Sequence, residues 1–325
     1  MKTRKIGNLE VSAVGMGCMG FSHGYGSVPE EDYAIEAIRG AYENGCTFFD
    51  TSEVYGIQMF EAGHNERIVG KATEPFRKDV VLATKFFAST EEIEVYGSLM
   101  EEIRAHLRKS LENLRTDYID LYYLHRINPE IPVEDVAACM GVLIEEGLIK
   151  GWGLSQVTVD TLMRAHHVTP VSAVQSEYSI MERAFEKDVL PACLENNIGF
   201  VAFSPVASGF LSGNIKKDAE YKGDDIRKIV PRFKKENVEA NQPILELLTQ
   251  FAQEKGASTA QISIAWMLHK YPHVVPIPGS RNKDRIIENL KSADVTLTEK
   301  EFEAIEKSIA QLEVRGVRSE WDQPS

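Results

Sequence analysis

The sequence predicts an α/β fold: a (β/α)8 TIM barrel with an N-terminal β-hairpin and an extra C-terminal helix. Three observations carry this. Eight short apolar runs recur along the 325 residues, near 13–17, 46–50, 80–85, 119–125, 149–154, 171–176, 199–203 and 274–277. They are apolar throughout rather than alternating, as parallel strands buried on both faces are. Helical patterns separate them, and eight strand–helix units in this length suit a barrel of ~250 residues plus insertions. An open doubly wound sheet is the alternative arrangement. No Pro/Gly/Ser-rich linker or low-complexity stretch divides the chain, so residues 1–325 are read as a single domain.

The elements follow in order. TRKIGNLEVSAVGMG reads as a hairpin turning at Gly7-Asn8, then the first barrel strand. EEDYAIEAIRGAYENG is an amphipathic helix, with Ala34, Ile35, Ile38, Ala41 and Tyr42 near one face and Asn44-Gly45 closing it. CTFFD is the second strand, NERIVGKA a helix, DVVLATK the third strand and GSLMEEIRAHLRKSLENLRT a long helix. IDLYYLHR is the fourth strand, and PVEDVAACMGVLIEEG a helix with proline in its first turn. IKGWGLS, VSAVQSEYS and FVAFSP are strands alternating with the helices VDTLMRAHHV and EKDVLPACLENNIG. A long loop leads to the helices QPILELLTQFAQEKGA and STAQISIAWMLHKYP. VVPIPGS is the last strand, followed by the helices KDRIIENLKSA and TEKEFEAIEKSIAQL.

Composition narrows the function. The formal net charge is −13, so a nucleic-acid partner is not expected. Cys18, Cys46, Cys139 and Cys193 form no C-x-x-C pair, which points away from a zinc site or disulfide framework. MKTRKIGNLEVS has no apolar leader core, and no apolar run reaches the ~20 residues of a membrane span. A cytoplasmic protein is expected. VGMGCMG matches G-x-G-x-x-G at Gly15, Gly17 and Gly20, the phosphate-cradling turn of dinucleotide domains. That turn works only when a helix starts within it. Here FSHGYGSVPEE follows, which reads as loop, so the Rossmann interpretation fails on context.

Chemistry in a TIM barrel gathers at the C-terminal ends of the strands. The second, third and fourth strands end in Asp50, Lys85 and His125, and Tyr55 follows Asp50 by five residues. Any one of these taken singly reads as a cap or a satisfied core group. Together they form a reducing apparatus. A phenol with a reference pKa of ~10 is a weak acid, and a nearby ammonium favours its phenolate. A carboxylate keeps that ammonium charged, and an imidazole can donate to a carbonyl oxygen. Such a set stabilises and then protonates developing oxyanion charge, provided a hydride donor sits opposite.

FFDTSEVYG with NERIVGKA, LATK, DYIDLYYLHR, IKGWGLS, VQSEYS, FSPVASGFLSG and PIPGSRNKDRIIENL resemble the motifs of the aldo-keto reductases, in family order. The resemblance runs from about Lys5 to Leu290 and is to a bacterial aldehyde-reductase-like branch with a PGSR cofactor motif. It implies reduction of aldehydes or ketones with NADPH (NADH being the lesser option) and no metal. It implies Tyr55 as general acid, Lys85 with Asp50 tuning it, and His125 orienting the carbonyl. Ser155, Gln156 and Gln175 match the positions that hold the nicotinamide carboxamide, and Phe203 matches the ring that stacks on it. Ser204, Pro205, Val206, Ser208 and Leu211 match the pyrophosphate loop. Gly17, Cys18 and Met19 match the nicotinamide end of the cleft, beside Asp50. Gly279, Ser280, Arg281 and Arg285 match the 2′-phosphate site, where guanidinium forks suit phosphate oxygens. Glu288 and Asn289 match adenine contacts. The substrate walls would include Tyr55, His125, Phe21, Tyr25, Met59, Phe60, Ile127 and Trp321, mostly apolar and suited to an aromatic or medium-chain aldehyde.

Gln156 stands where many members carry Asn, and Gly279 where some branches carry Lys; Arg281 can compensate for the latter. Without the resemblance, Asn282 and its charged neighbours read simply as a capped helix start. A non-catalytic cofactor-binding regulator or sensor of the same fold is the competing function. A short-chain dehydrogenase is excluded, because none of the eleven tyrosines has lysine four residues on.

Overall fold

The computed structural model describes residues 1–317. A two-stranded antiparallel hairpin, β1 (Thr3–Ile6) and β2 (Leu9–Ser12), turns through Gly7 at φ +55°. Eight parallel strands follow: β3 (Met16–Gly17), β4 (Phe48–Asp50), β5 (Val81–Phe86), β6 (Leu121–Leu124), β7 (Trp152–Ser155), β8 (Ala173–Glu177), β9 (Gly199–Phe203) and β10 (Val274–Pro276). Each pairs with its sequence neighbour, β3 and β10 lying at the two ends of the order. A bridge between Gly17 and Gly279 and a bond from Gly15 N to Pro276 O (2.9 Å) close the seam into a nearly complete barrel.

The glycines of VGMG belong to that seam. A Cβ on Gly15 would stand 2.6 Å from a Phe48 ring carbon, and one on Gly17 2.9 Å from Ile277 O. They are glycines because two strands approach closely, not because they cradle phosphate.

The helices surround the strands: α1 (Glu31–Glu43), α2 (His64–Thr73), α3 (Thr90–Tyr96), α4 (Leu99–Leu114), α5 (Val133–Glu145), α6 (Val159–Val168), α7 (Val189–Glu195), α8 (Lys235–Ala240), α9 (Gln242–Lys255), α10 (Thr259–Lys270), α11 (Lys283–Leu290) and α12 (Glu299–Ile309). α8 interrupts the stretch read as a long loop, and α3 lies between the third strand and the long helix, where no element was expected. Pro132 precedes α5 instead of standing within its first turn. Ser258 with Gln261 and Thr298 with Glu301 close reciprocal capping boxes that start α10 and α12.

Two cores result. The larger lies between strands and helices and includes Trp152, Trp266, Phe49 and Leu107. The smaller fills the barrel with Phe48, Leu121, Tyr123, Val201 and Val275, and the hairpin's Ile6 and Val11 complete it. At that end Ile6 meets Gly199, where a Cβ would come within 2.7 Å of Ile6 Cα. The hairpin thus plugs one end, and the other end is left for the site. No described helix is long and apolar enough to cross a membrane.

Candidate active site

Asp50 is the last residue of β4 and Lys85 the last but one of β5, and they meet at the C-terminal mouth, where Lys85 Nζ donates to Asp50 Oδ1 (2.5 Å), Thr51 O (2.7 Å) and Tyr55 Oη (3.3 Å). Gln175, from β8 across the barrel, donates to Asp50 Oδ2 (2.7 Å). Tyr55 sits in the loop after β4, which is tied to its surroundings by backbone bonds: Glu53 N to Lys85 O (3.2 Å), Tyr55 N to Ser52 O (3.1 Å) and Asn65 N to Tyr55 O (3.2 Å). His125 follows β6, its backbone N held by Phe86 O (2.8 Å) and its ring edge-on to Tyr55 at 5.9 Å between centroids. The fold therefore brings Asp50, Tyr55, Lys85 and His125 to one place.

Burial sets their electrostatics. It raises the Asp50 carboxyl, with Lys85 and Gln175 pulling the other way. Burial by itself would lower Lys85, but Asp50 and Tyr55 together hold it above its ordinary value, so the ammonium persists. The Tyr55 phenol is pushed up from 10 by burial, and Lys85 opposes this without overcoming it. Desolvation of this phenol is a property of the packed site and is not legible in the sequence. Burial, assisted by Lys85, Arg126 and His23, drives His125 well below 6.5, so it is a neutral imidazole. Ser52 Oγ lies 3.1 Å from His125 Nδ1 and 3.3 Å from Lys85 O, with one proton to serve either.

A cleft of ≈ 920 Å³ runs from these groups to the start of α11. Of the sequence candidates, Gly17, Met19, Tyr25, Asp50, Tyr55, His125, Ser155, Gln175, Phe203, Ser204, Pro205, Val206, Ser208, Gly279, Ser280, Arg281 and Arg285 line it. Arg281 also donates to Ser27 O. Asn282 caps α11, its Oδ1 accepting from Arg285 N (3.0 Å), so the cap and the basic pair coexist. Ser204 (φ +50°) and Ser208 (φ +52°) hold left-handed backbone, costing ~1–2 kcal/mol each. Such outliers cluster where ligands bind.

The remaining candidates lie elsewhere. Cys18, Phe21 and Leu211 are packed into the large core. Gln156 is buried, and its left-handed turn (φ +55°) sets its Oε1 to accept from Glu177 N (3.3 Å) behind the cleft wall. Glu288 accepts from Ser258 Oγ at the start of α10, and Asn289 is buried. Met59 and Phe60 are exposed, with Phe60 stacked on His64. Ile127 packs against the large core. These nine side chains do not line the cleft. Trp321 lies outside the described residues.

The structure adds lining residues that the sequence did not single out. His23 stands 5.4 Å from the Tyr55 ring, and Arg126, directly after His125, donates to Ser155 Oγ (3.0 Å). Position beside His125 was the one signal for Arg126. A bridge also crosses the mouth. Asp224 accepts from Gly24 N (2.6 Å), Ile226 N donates to Gly24 O (3.0 Å), and the Arg227 guanidinium lies over the Tyr25 ring at 5.4 Å. Part of the segment 214–233, expected only as a loop, thus forms short turns fastened over the cleft.

A buried lysine–carboxylate pair against a tyrosine and a neutral histidine at the mouth of a TIM barrel is a set of groups able to carry out proton transfer. The profile of the Aldo/keto reductase family matches residues 13–310, and the chain belongs to that family of oxidoreductases. It is 36% identical over 319 residues to the probable aldo-keto reductase 1 of Glycine max, covering 95% of this chain and 89% of that one. Its structure is similar to a glycerol dehydrogenase from Gluconobacter oxydans (TM-score 0.83, 25% identity, 95% of each chain). It is also similar to a thermostable aldo-keto reductase in complex with the inhibitor epalrestat (TM-score 0.75, 27% identity, 95% of this chain and 100% of that one).

Proposed function

We propose that this protein reduces aldehydes or ketones to alcohols with NADPH, Tyr55 acting as general acid. The observation that carries the reading is the Tyr55 hydroxyl at 3.3 Å from a lysine ammonium held by Asp50 at the cleft floor. The cleft fits a dinucleotide: it extends from the Tyr55–His125 end to two guanidinium groups, over the left-handed turns at Ser204 and Ser208. Ser155, Gln175 and Phe203 would hold the nicotinamide end, residues 204–208 the pyrophosphate, and Arg281 and Arg285 the 2′-phosphate. The bound cofactor supplies hydride. Tyr55 then delivers its proton to the carbonyl oxygen, and Lys85 stabilises the phenolate left behind. His125 orients the carbonyl through Nε2–H, the tautomer obtained when Ser52 donates to Nδ1.

The deciding assay is NADPH oxidation with 4-nitrobenzaldehyde. Cofactor binding without turnover across a panel of aldehydes and ketones would instead favour a sensor of this fold. Two further results are expected. Arg281→Ala and Arg285→Ala should each weaken NADPH by roughly tenfold, the worth of a charged hydrogen bond, and leave NADH within a few-fold; fluorescence titration with both cofactors checks this. The rate of reduction should also show no loss from His125 between pH 7 and 6. Its pKa is depressed, so the ring stays neutral until the pH falls well below 6.5. An acidic limb near 6.5 in kcat/KM that disappears in His125→Gln would contradict this.

A further inference from the structure

Behind the loop that carries Tyr55, three side chains of ligand type meet in a place the proposed reaction does not use. Glu102 and His106 lie one turn apart on α4, and Glu92 comes from α3. One carboxylate oxygen from each glutamate and one His106 nitrogen lie within 4.8 Å of one another. His106 Nε2 is 2.7 Å from Glu92 Oε2, and its Nδ1 is 2.8 Å from Glu53 Oε2. Glu102 is fully buried: its Oε1 accepts from Ser89 N (2.6 Å), and its Oε2 has no hydrogen-bond partner. A buried carboxylate oxygen left unpaired is costly. Three carboxylates also surround one imidazole, so the cluster stays negative even around an imidazolium. α3 has no fully buried residue, Ile93 packing only partly against the large core, and so short a helix depends on its surroundings to hold.

We propose that Glu92, Glu102 and His106 bind one divalent transition-metal ion of the zinc type. Two carboxylates and an imidazole are a donor set for such an ion. Glu53 completes the arrangement from outside, accepting from His106 Nδ1–H and turning Nε2 toward the ion, as carboxylate partners of metal-bound histidines do. Glu92 is about half exposed (48%), so ions enter from its side and water keeps the remaining position. The ion fastens α3 to α4 and fixes the imidazole against Glu53, two residues before Tyr55. This site stands independently of the carbonyl-reductase reading.

The test is isothermal titration of the full-length, chelator-treated protein with Zn²⁺ alone. One ion per chain is expected, with a micromolar or tighter Kd. Glu92→Gln and Glu102→Gln should each weaken it by at least about tenfold, comparing with what outer-shell losses alone produce. Cys139→Ser should leave it unchanged, and Zn²⁺ should slow amide exchange across 90–96. Absence of one-to-one binding would overturn the proposal, as would affinity that survives Glu92→Gln or vanishes in Cys139→Ser. Should Glu102→Gln fail to fold, the half-exposed Glu92→Gln decides alone.

Discussion

Tyr55→Phe is expected to cut kcat for carbonyl reduction by about a hundred- to ten-thousand-fold, the usual contribution of a positioned acid, with NADPH still bound. The substitution removes one oxygen, the one 3.3 Å from Lys85 Nζ, and keeps the ring that packs beside His23 and His125. Single-turnover kinetics and cofactor titration on the same preparation separate the outcomes. Equal loss of turnover and cofactor affinity would make Tyr55 a structural residue. Retained turnover would remove it from the chemistry.

The second large effect concerns stability. Lys85→Met should destabilise the fold by about 3–5 kcal/mol, because it strands a buried carboxylate. Lys85 and Asp50 are both essentially inaccessible, and Asp50 keeps only Gln175 among its two polar side-chain partners. The deficit should depend on pH with a definite sign. Burial already raises the Asp50 carboxyl above its ordinary value, and losing the ammonium raises it further. A group whose folded pKa exceeds its unfolded value favours the fold below the unfolded pKa, and that contribution is lost as pH rises. Lys85→Met should therefore lie nearest the wild type in acid and furthest from it at neutral pH. Urea unfolding at several pH values checks this. A deficit independent of pH would mean that lost packing, not stranded charge, dominates. The double variant Asp50→Asn/Lys85→Met should recover part of the loss, since close pairs are not additive.

The barrel was legible because its strands are buried on both faces and read as continuous apolar runs, each bounded by an amphipathic helix. Asp50, Lys85 and His125 were legible because they end three consecutive strands. α3 was not: none of its seven residues is fully buried and Ile93 alone packs partly on the core, so no apolar stripe marks it. The bridge at Asp224, Ile226 and Arg227 was not legible either, as its partners at Gly24 and Tyr25 lie about 200 residues away. Phe21 and Gln156 show a subtler limit. Their positions in the chain suggested the cleft, but side-chain direction depends on local backbone. A short helical turn buries Phe21, and a left-handed residue turns Gln156 toward β8.

By itself the sequence determined which residue types reach the mouth of the barrel, since strand periodicity and strand ends are local properties. The tertiary structure decided what those residues are once there. Desolvation is a property of the packed whole: it outweighs Lys85 at the Tyr55 phenol and keeps His125 neutral. The same holds for VGMGCMG, whose glycines at 15 and 17 serve a seam that exists only when the last strand returns to the first.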